Sequence, residues 1–308
     1  MNIGSILLAV LGLSIFEMIT SVDNAVINAE ILSKMKPQAR KWFLFWGIIF
    51  GVFVVRGLLP LFIIYLFNPS LGIWGTLTAT LSNDPKVAAS IEKSAPLLLL
   101  AGGTFLLFLF FNWLFLEEKH FGLIGEKFFY KQGVWFYAVV SILLAAIVWY
   151  AIKIEPLLAF SAVIGSSAFF ITHGFKQQAE MAEKNLMKQG MSDLAKILYL
   201  EIIDMTFSID GVLGAFAFTL SVPIILLGNG LGAIVLRQLT IAGVDKIKNY
   251  IYLKNGAMYS IFFLGTIMVL DSFGAHIPRW LSPLITITIV GFFYLKSLRS
   301  AKNEIKKS

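Results

Sequence analysis

Phe16-Glu-Met-Ile-Thr-Ser-Val-Asp-Asn-Ala-Val-Ile-Asn-Ala-Glu30 decides how this chain is read. The stretch sits in an apolar run that begins at Ile3, yet it carries Glu17, Asp23 and Asn24. Of 308 residues, 58% are hydrophobic and only 14% are charged, whereas a soluble domain carries about 25% charged residues. The run therefore reads as membrane-embedded. A charge at mid-membrane costs at least ~2.5–3.5 kcal/mol, so carboxylates placed there ask for a purpose.

A helix crosses a bilayer with about 20 apolar residues and satisfies its own backbone. Nine spans are expected, roughly 3–33, 41–67, 95–116, 134–152, 157–174, 197–219, 222–243, 254–271 and 279–296. The expected fold is all-α, a polytopic bundle forming one transmembrane domain over 1–308. With the N-terminus outside, nineteen loop lysines and arginines fall inside and four fall outside: Lys86, Lys93, Lys153 and Arg279. That bias places the C-terminus in the cytoplasm. The first run lacks a basic leader and outlasts a signal-peptide core, so no cleavable signal is expected. The net charge of +7 is spread between apolar runs, which argues against nucleic acid as a partner. The absence of cysteine excludes disulfides and thiolate metal sites.

Two connections are longer. Residues 68–94 are mixed in character and expected outside. Residues 175–196 read as a polar cytoplasmic helical hairpin with a solvated face, stopped at Gly190.

The acidic motif recurs. Glu17-Met-Ile-Thr-Ser-Val-Asp23 matches Asp204-Met-Thr-Phe-Ser-Ile-Asp210, both acid-Met-x-x-Ser-(Val/Ile)-Asp. Downstream, Gly47, Gly51 and Arg56 match Gly228, Gly232 and Arg237 in order and spacing. Spans 1–3 (about 3–116) and 6–8 (about 197–271) are thus expected to be three-helix repeats. Five crossings separate their starts, so their topology is inverted, an arrangement common in secondary transporters.

Five acids are implicated: Glu17, Asp23, Glu201, Asp204 and Asp210. Arg56 and Arg237 neutralise two of them, and a divalent cation or protonation offsets the rest. On a regular helix six residues turn about 120° beyond whole turns, so Glu17 and Asp23 diverge, as do Asp204 and Asp210. Convergence is expected to need helix breaks near Ser21–Asn24 and Ser208–Gly211. The candidate ligands are all oxygens: these carboxylates and Asn24, with Ser21, Thr206 and Ser208 in support. Such a set suits Mg, Ca or Mn. His120, His173 and His276 read as polar interface residues, and Asn229 as a packing or hydrogen-bonding residue. A purely structural role, with Glu17–Arg56 and Asp204–Arg237 pairs fixing the bundle, leaves the other acids without cations.

At these motifs the chain resembles the TerC family of integral membrane proteins, within the LysE exporter superfamily. Phe16 to Asn24, Leu200 to Gly211 and Gly228 to Arg237 carry the resemblance, and Thr172 to Gln178 points to a branch of unknown function. The resemblance implies export of manganese or a related divalent metal across the bacterial inner membrane, and metal supply to secreted proteins. It maps the family's acidic residues onto Glu17, Asp23, Asn24, Glu201, Asp204 and Asp210. Many relatives read Asp-Ser where this chain has Asp210-Gly211, which bears on selectivity. The expectation is therefore a non-enzymatic carrier with Mn²⁺, Ca²⁺ or Mg²⁺ as cargo and proton antiport as its natural coupling. Beyond metal and lipid, its partners would be further copies of itself or secretion-linked proteins. The competing readings are a membrane-embedded enzyme with acid–base carboxylates, and a non-transporting partner of a membrane complex.

Overall fold

The computed structural model describes residues 3–22, 25, 31–32, 35–67, 69, 72–79, 85–119, 122–123, 125–186, 192–248 and 250–305. Helices make up nearly all of this, with no strand among the described residues. In chain order they are α1 (Ile3–Thr20), α2 (Pro37–Ile49), a π-helical segment (Phe50–Leu58), α3 (Leu59–Phe67), α4 (Gly72–Ala79), α5 (Pro85–Leu116) and α6 (Glu126–Lys131). Then follow α7 (Trp135–Ala151), α8 (Pro156–Leu186), α9 (Asp193–Ala215), α10 (Val222–Lys248), α11 (Leu253–Ser272) and α12 (Leu281–Ile305).

Several starts are written locally. Pro37 and Pro156 open α2 and α8, where the missing N–H goes unused. Ser192 caps α9 by accepting from the Ala195 N–H at 3.3 Å, and Asp193 follows in the first turn. Five described helices are long and apolar enough to cross a membrane: Ile3–Thr20, Glu92–Leu116, Pro156–Gln178, Leu253–Ser272 and Leu281–Ser300. Three shorter apolar helices are Arg56–Phe67, Trp135–Ala151 and Val222–Gln238.

α5 is the central post. Its Glu92–Leu116 portion is 72% buried, against 33% for α1. Small residues let neighbours approach it. A Cβ on Gly103 would stand 2.9 Å from the Gly265 carbonyl of α11, and one on Gly165 of α8 would run into the Ala101 backbone. Rings fill the space around these contacts. Phe110 meets Phe262 at 4.7 Å, and Phe105 and Phe108 meet Phe169 edge-on at 6.0 and 5.8 Å. The outer face is apolar as well: Phe62, Ile142, Trp149, Phe160 and Ile202 are exposed. A water-soluble monomer rarely carries so much exposed apolar surface; lipid accommodates it.

Three expectations are revised. The helix expected to stop at residue 174 continues as α8 to Leu186, so the first arm of the polar hairpin is the end of a long apolar helix. No Gly or Pro occurs between Phe175 and Gln189 to stop it. Gly190 lies outside the described residues. Second, α9 runs unbroken through Ser208–Gly211, where a break was expected. Third, the irregularity falls elsewhere, in the π-helical turns Phe50–Leu58 around Arg56. At the other expected break, α1 ends at Thr20 and a turn follows at Ser21.

The chain after α5 folds back and is locked by polar bonds. Glu126 is buried and accepts from Asn255 Nδ2 at 2.7 Å and from the Tyr259 hydroxyl at 3.1 Å. Lys119 lies over the Trp113 ring at 3.8 Å and donates to the Trp113 carbonyl; burial pulls its pKa down to about 8. Glu126→Ala strands one buried and one half-buried donor and should cost about 2–3 kcal/mol. Glu126→Gln, which keeps an acceptor, should cost less. Thermal unfolding in detergent checks the ranking.

Candidate functional site

Glu17 lies on the buried stripe of α1 with Ala9, Gly12, Leu13 and Phe16. Its side chain is only 1% exposed, so its charge needs a partner. Arg56, itself 4% exposed, supplies it: Nη2 and Nε both donate to Glu17 Oε1, at 2.5 and 2.9 Å. Ser21 Oγ donates to the same oxygen at 2.9 Å. The other face of the guanidinium is used too. Nη1 donates to the Gly51 carbonyl at 3.0 Å and stands 3.5 Å from Asp204 Oδ2 on α9. One arginine thus joins the acids that head the two motifs.

Glycines make this junction sterically possible. A Cβ on Gly51 would lie 2.7 Å from Asp204 Oδ2. On α10, a Cβ on Gly232 would lie 2.6 Å from the Ser14 carbonyl and 2.8 Å from Glu17 Cβ. Gly211 of α9 faces Glu17 Oε2 in the same way, at 2.8 Å. Gly211 is therefore a place where a side chain would press on Glu17. Ser14 Oγ donates to the Gly228 carbonyl at 2.9 Å, which fixes the register of α1 against α10.

The remaining acids stand around this junction. Gly47 faces both the Glu201 carboxylate and the Arg237 guanidinium, and Arg237 also lies over the Phe43 ring at 4.5 Å. Both carboxylate oxygens of Glu201 are buried without a hydrogen-bond partner among the described residues. Asp210 was expected to lack a cation, but Lys176 of α8 reaches it at 2.5 Å. The other Asp210 oxygen, Oδ1, is buried and unpartnered among the described residues. Because α9 is regular, Asp210 stays about 120° from Asp204 around the helix and pairs with a different element.

Of the supporting residues, Ser208 is spent on its own helix, donating to the Asp204 carbonyl at 2.6 Å. Asp23, Asn24 and the Thr206 side chain lie outside what is described. Asn229 is wholly buried, and neither of its amide atoms has a hydrogen-bond partner among the described residues. It was expected to pack or to hydrogen-bond; its burial fits packing, and the amide finds no hydrogen bond among the described residues. Among the described residues no three His, Asp or Glu side chains are close enough together to hold one metal ion. The acids are neighbours, not a preformed cage.

Sequence reasoning missed the pairing of Lys176, which it placed on the solvated face of a helical hairpin. It also missed a cavity of about 700 Å³ at the far end of the bundle, lined by Glu92, Asp271, His276 and Arg279 over Phe216 and Met268. Of the other histidines, His120 lies outside the described residues. His173 is half-buried, stacked on Phe169 at 5.5 Å, with Asn112 Nδ2 and Gln177 Nε2 at 3.4 and 3.1 Å from its Nε2.

Gly51→Ala and Gly232→Ala probe the junction from two sides. At Gly51 the obstacle is the end of a side chain, which swings away. At Gly232 it is the α1 backbone, which cannot. Overpacking costs about 1–3 kcal/mol, and Gly232→Ala should fall at the upper end, with a larger drop in thermal stability than Gly51→Ala.

The chain is similar to an uncharacterized membrane protein, RP786, of Rickettsia prowazekii (strain Madrid E), at 25% identity over 128 residues. That alignment covers 42% of this chain and 43% of the relative. No solved structure matches. Together with the long apolar helices, the likeness makes this a multi-pass integral membrane protein. A family model described as protein of unknown function, DUF475, matches residues 22–304, and the chain belongs to that family.

Proposed function

We propose that this protein carries a divalent cation across the membrane, with the buried acids as its binding groups. The observation that carries the reading is an excess of buried negative charge. Glu201 Oε1 and Oε2 and Asp210 Oδ1 are buried without hydrogen-bond partners among the described residues, although Arg237 stands near Glu201 and Lys176 holds the other Asp210 oxygen. Such oxygens are expensive unless something positive visits them. An all-oxygen donor set favours a hard cation. Manganese as cargo, export as direction and the inner membrane as location rest on the resemblance to TerC proteins.

The same contacts favour two inverted repeats, while nine spans with the N-terminus out rest on the apolar runs and the placement of lysine and arginine. Gly51 of the first motif set meets Asp204 of the second, and Gly232 of the second meets Glu17 of the first. This exchange is what a two-fold relation between the halves would produce. In this reading the halves rock about the Arg56 junction, and the acids converge on the ion during the motion. The π-helical segment beside Arg56 is a natural place for adjustment, since such turns recur at functional sites. The carboxylates that bind the cation also take up protons, which makes antiport the coupling of choice.

Asp23→Asn and Asp210→Asn should each abolish Mn²⁺ flux in proteoliposomes while the protein still purifies as a folded species. Flux at the wild-type rate in both variants would contradict the proposal.

A further inference from the structure

We propose that Lys176 is a tethered cation that occupies Asp210 until the transported cation displaces it. The inference rests on the carrier reading above and names the step by which the site opens. Lys176 comes from α8, outside both motif sets, and its ammonium meets Asp210 Oδ2 at 2.5 Å with each side chain 13% exposed.

The three cations of the site are not equivalent. Arg56 is fixed at Glu17, at Asp204 and at the Gly51 carbonyl. Arg237 is held in place over Phe43 and beside Glu201. Lys176 is a point charge on a flexible four-carbon stem, the group of the three best suited to leave. Nearby, the polar side chains of Asn112 on α5, of His173 one turn before Lys176, and of the adjacent Gln177 lie together. They give a displaced ammonium polar surroundings on its way to water.

Charge counting points the same way. Among the described residues Glu17, Glu201, Asp204 and Asp210 face Arg56, Arg237 and Lys176, four charges against three. With Lys176 withdrawn the excess is two, the charge of one divalent cation. Independently, Asn229, with no exposed surface and no hydrogen-bond partner among the described residues, lies on α10 between the glycines that meet Leu13 and Glu17. An amide left open at this level is what a site that receives a guest would retain. A purely structural Lys176–Asp210 pair, anchoring α8 to α9, predicts the opposite effect on affinity: losing it would loosen the site.

Calorimetric titration of the purified protein in detergent with Mn²⁺ separates the two. Lys176→Gln removes the competitor and should tighten Mn²⁺ binding by about tenfold or more. Lys176→Arg, which keeps the charge, should stay close to wild type, and adding Asp210→Asn to Lys176→Gln should erase the gain. Equal or weaker binding in Lys176→Gln would overturn the inference. The wild-type chain gives a second reading by reductive methylation and mass spectrometry. Lys176 should be modified several-fold faster when Mn²⁺ is present; an unchanged or slower rate would overturn the displacement. Absence of Mn²⁺ binding in wild type and Lys176→Gln alike would contradict the carrier reading and this inference together. Binding in both without a gain contradicts this inference alone.

Discussion

The guanidinium of Arg56, held between Glu17 on α1 and Asp204 on α9, is the constraint around which the molecule is arranged. Three charged groups removed from water are tolerable only when each is paired and hydrogen-bonded. Deleting Arg56 would leave two buried carboxylates and cost about 3–5 kcal/mol. The surrounding choices follow from that. Glycines stand where the acids need room, at 51, 211 and 232. The helix bearing Arg56 changes to π geometry. Ser21 adds a further donor to the Glu17 oxygen that Arg56 already binds. Close backbone approach through small residues also organises the dry half of the bundle, where Gly103, Gly165 and Gly265 bring α8 and α11 onto α5.

That dry half gives the junction a rigid frame. α5 and α11 are cemented by rings and small residues, and the fold-back at Glu126 pins the chain after α5 to α11. The charged half is looser in kind: ion pairs of different elements, a π-helical passage, and buried oxygens with unmet demand. A carrier needs this division, one part that keeps its shape and one whose pairings exchange. Lys176 links them, since α8 packs on α5 through Gly165 and reaches the charged half through Asp210.

Much of this was legible in the chain. Apolar runs located the helices, and the pairing of Glu17 with Arg56 followed from the cost of burying either alone. The recurring Gly-x-x-x-Gly spacing marked the repeat, but the close approaches these glycines permit were not read from it. Other features were not legible, for physical reasons. Nothing in Phe50-Gly-Val-Phe-Val-Val-Arg56 separates π from α geometry, because the difference lies in how neighbours load the helix. Asp-Gly at 210–211 looked like a break, yet tertiary contact of Gly211 with Glu17 holds the glycine inside a straight helix. Lys176 was misplaced because a polar helical hairpin was read as wholly solvated. The run Lys176-Gln-Gln-Ala-Glu-Met-Ala-Glu183 consists of good helix formers, so its helicity was available from composition, but the burial of Lys176 was not. Nor was its partner Asp210: the pairing joins residues 34 apart in sequence.

Anomalous diffraction at the manganese edge, from crystals grown in lipid and equilibrated with Mn²⁺, tests the central claim most directly. The account predicts one peak beside Arg56, within ligand distance of carboxylates from both motifs, with the Lys176 ammonium withdrawn from Asp210. A peak only in the cavity lined by Glu92, Asp271 and His276, with the Arg56 junction unchanged and Lys176 still on Asp210, would contradict it.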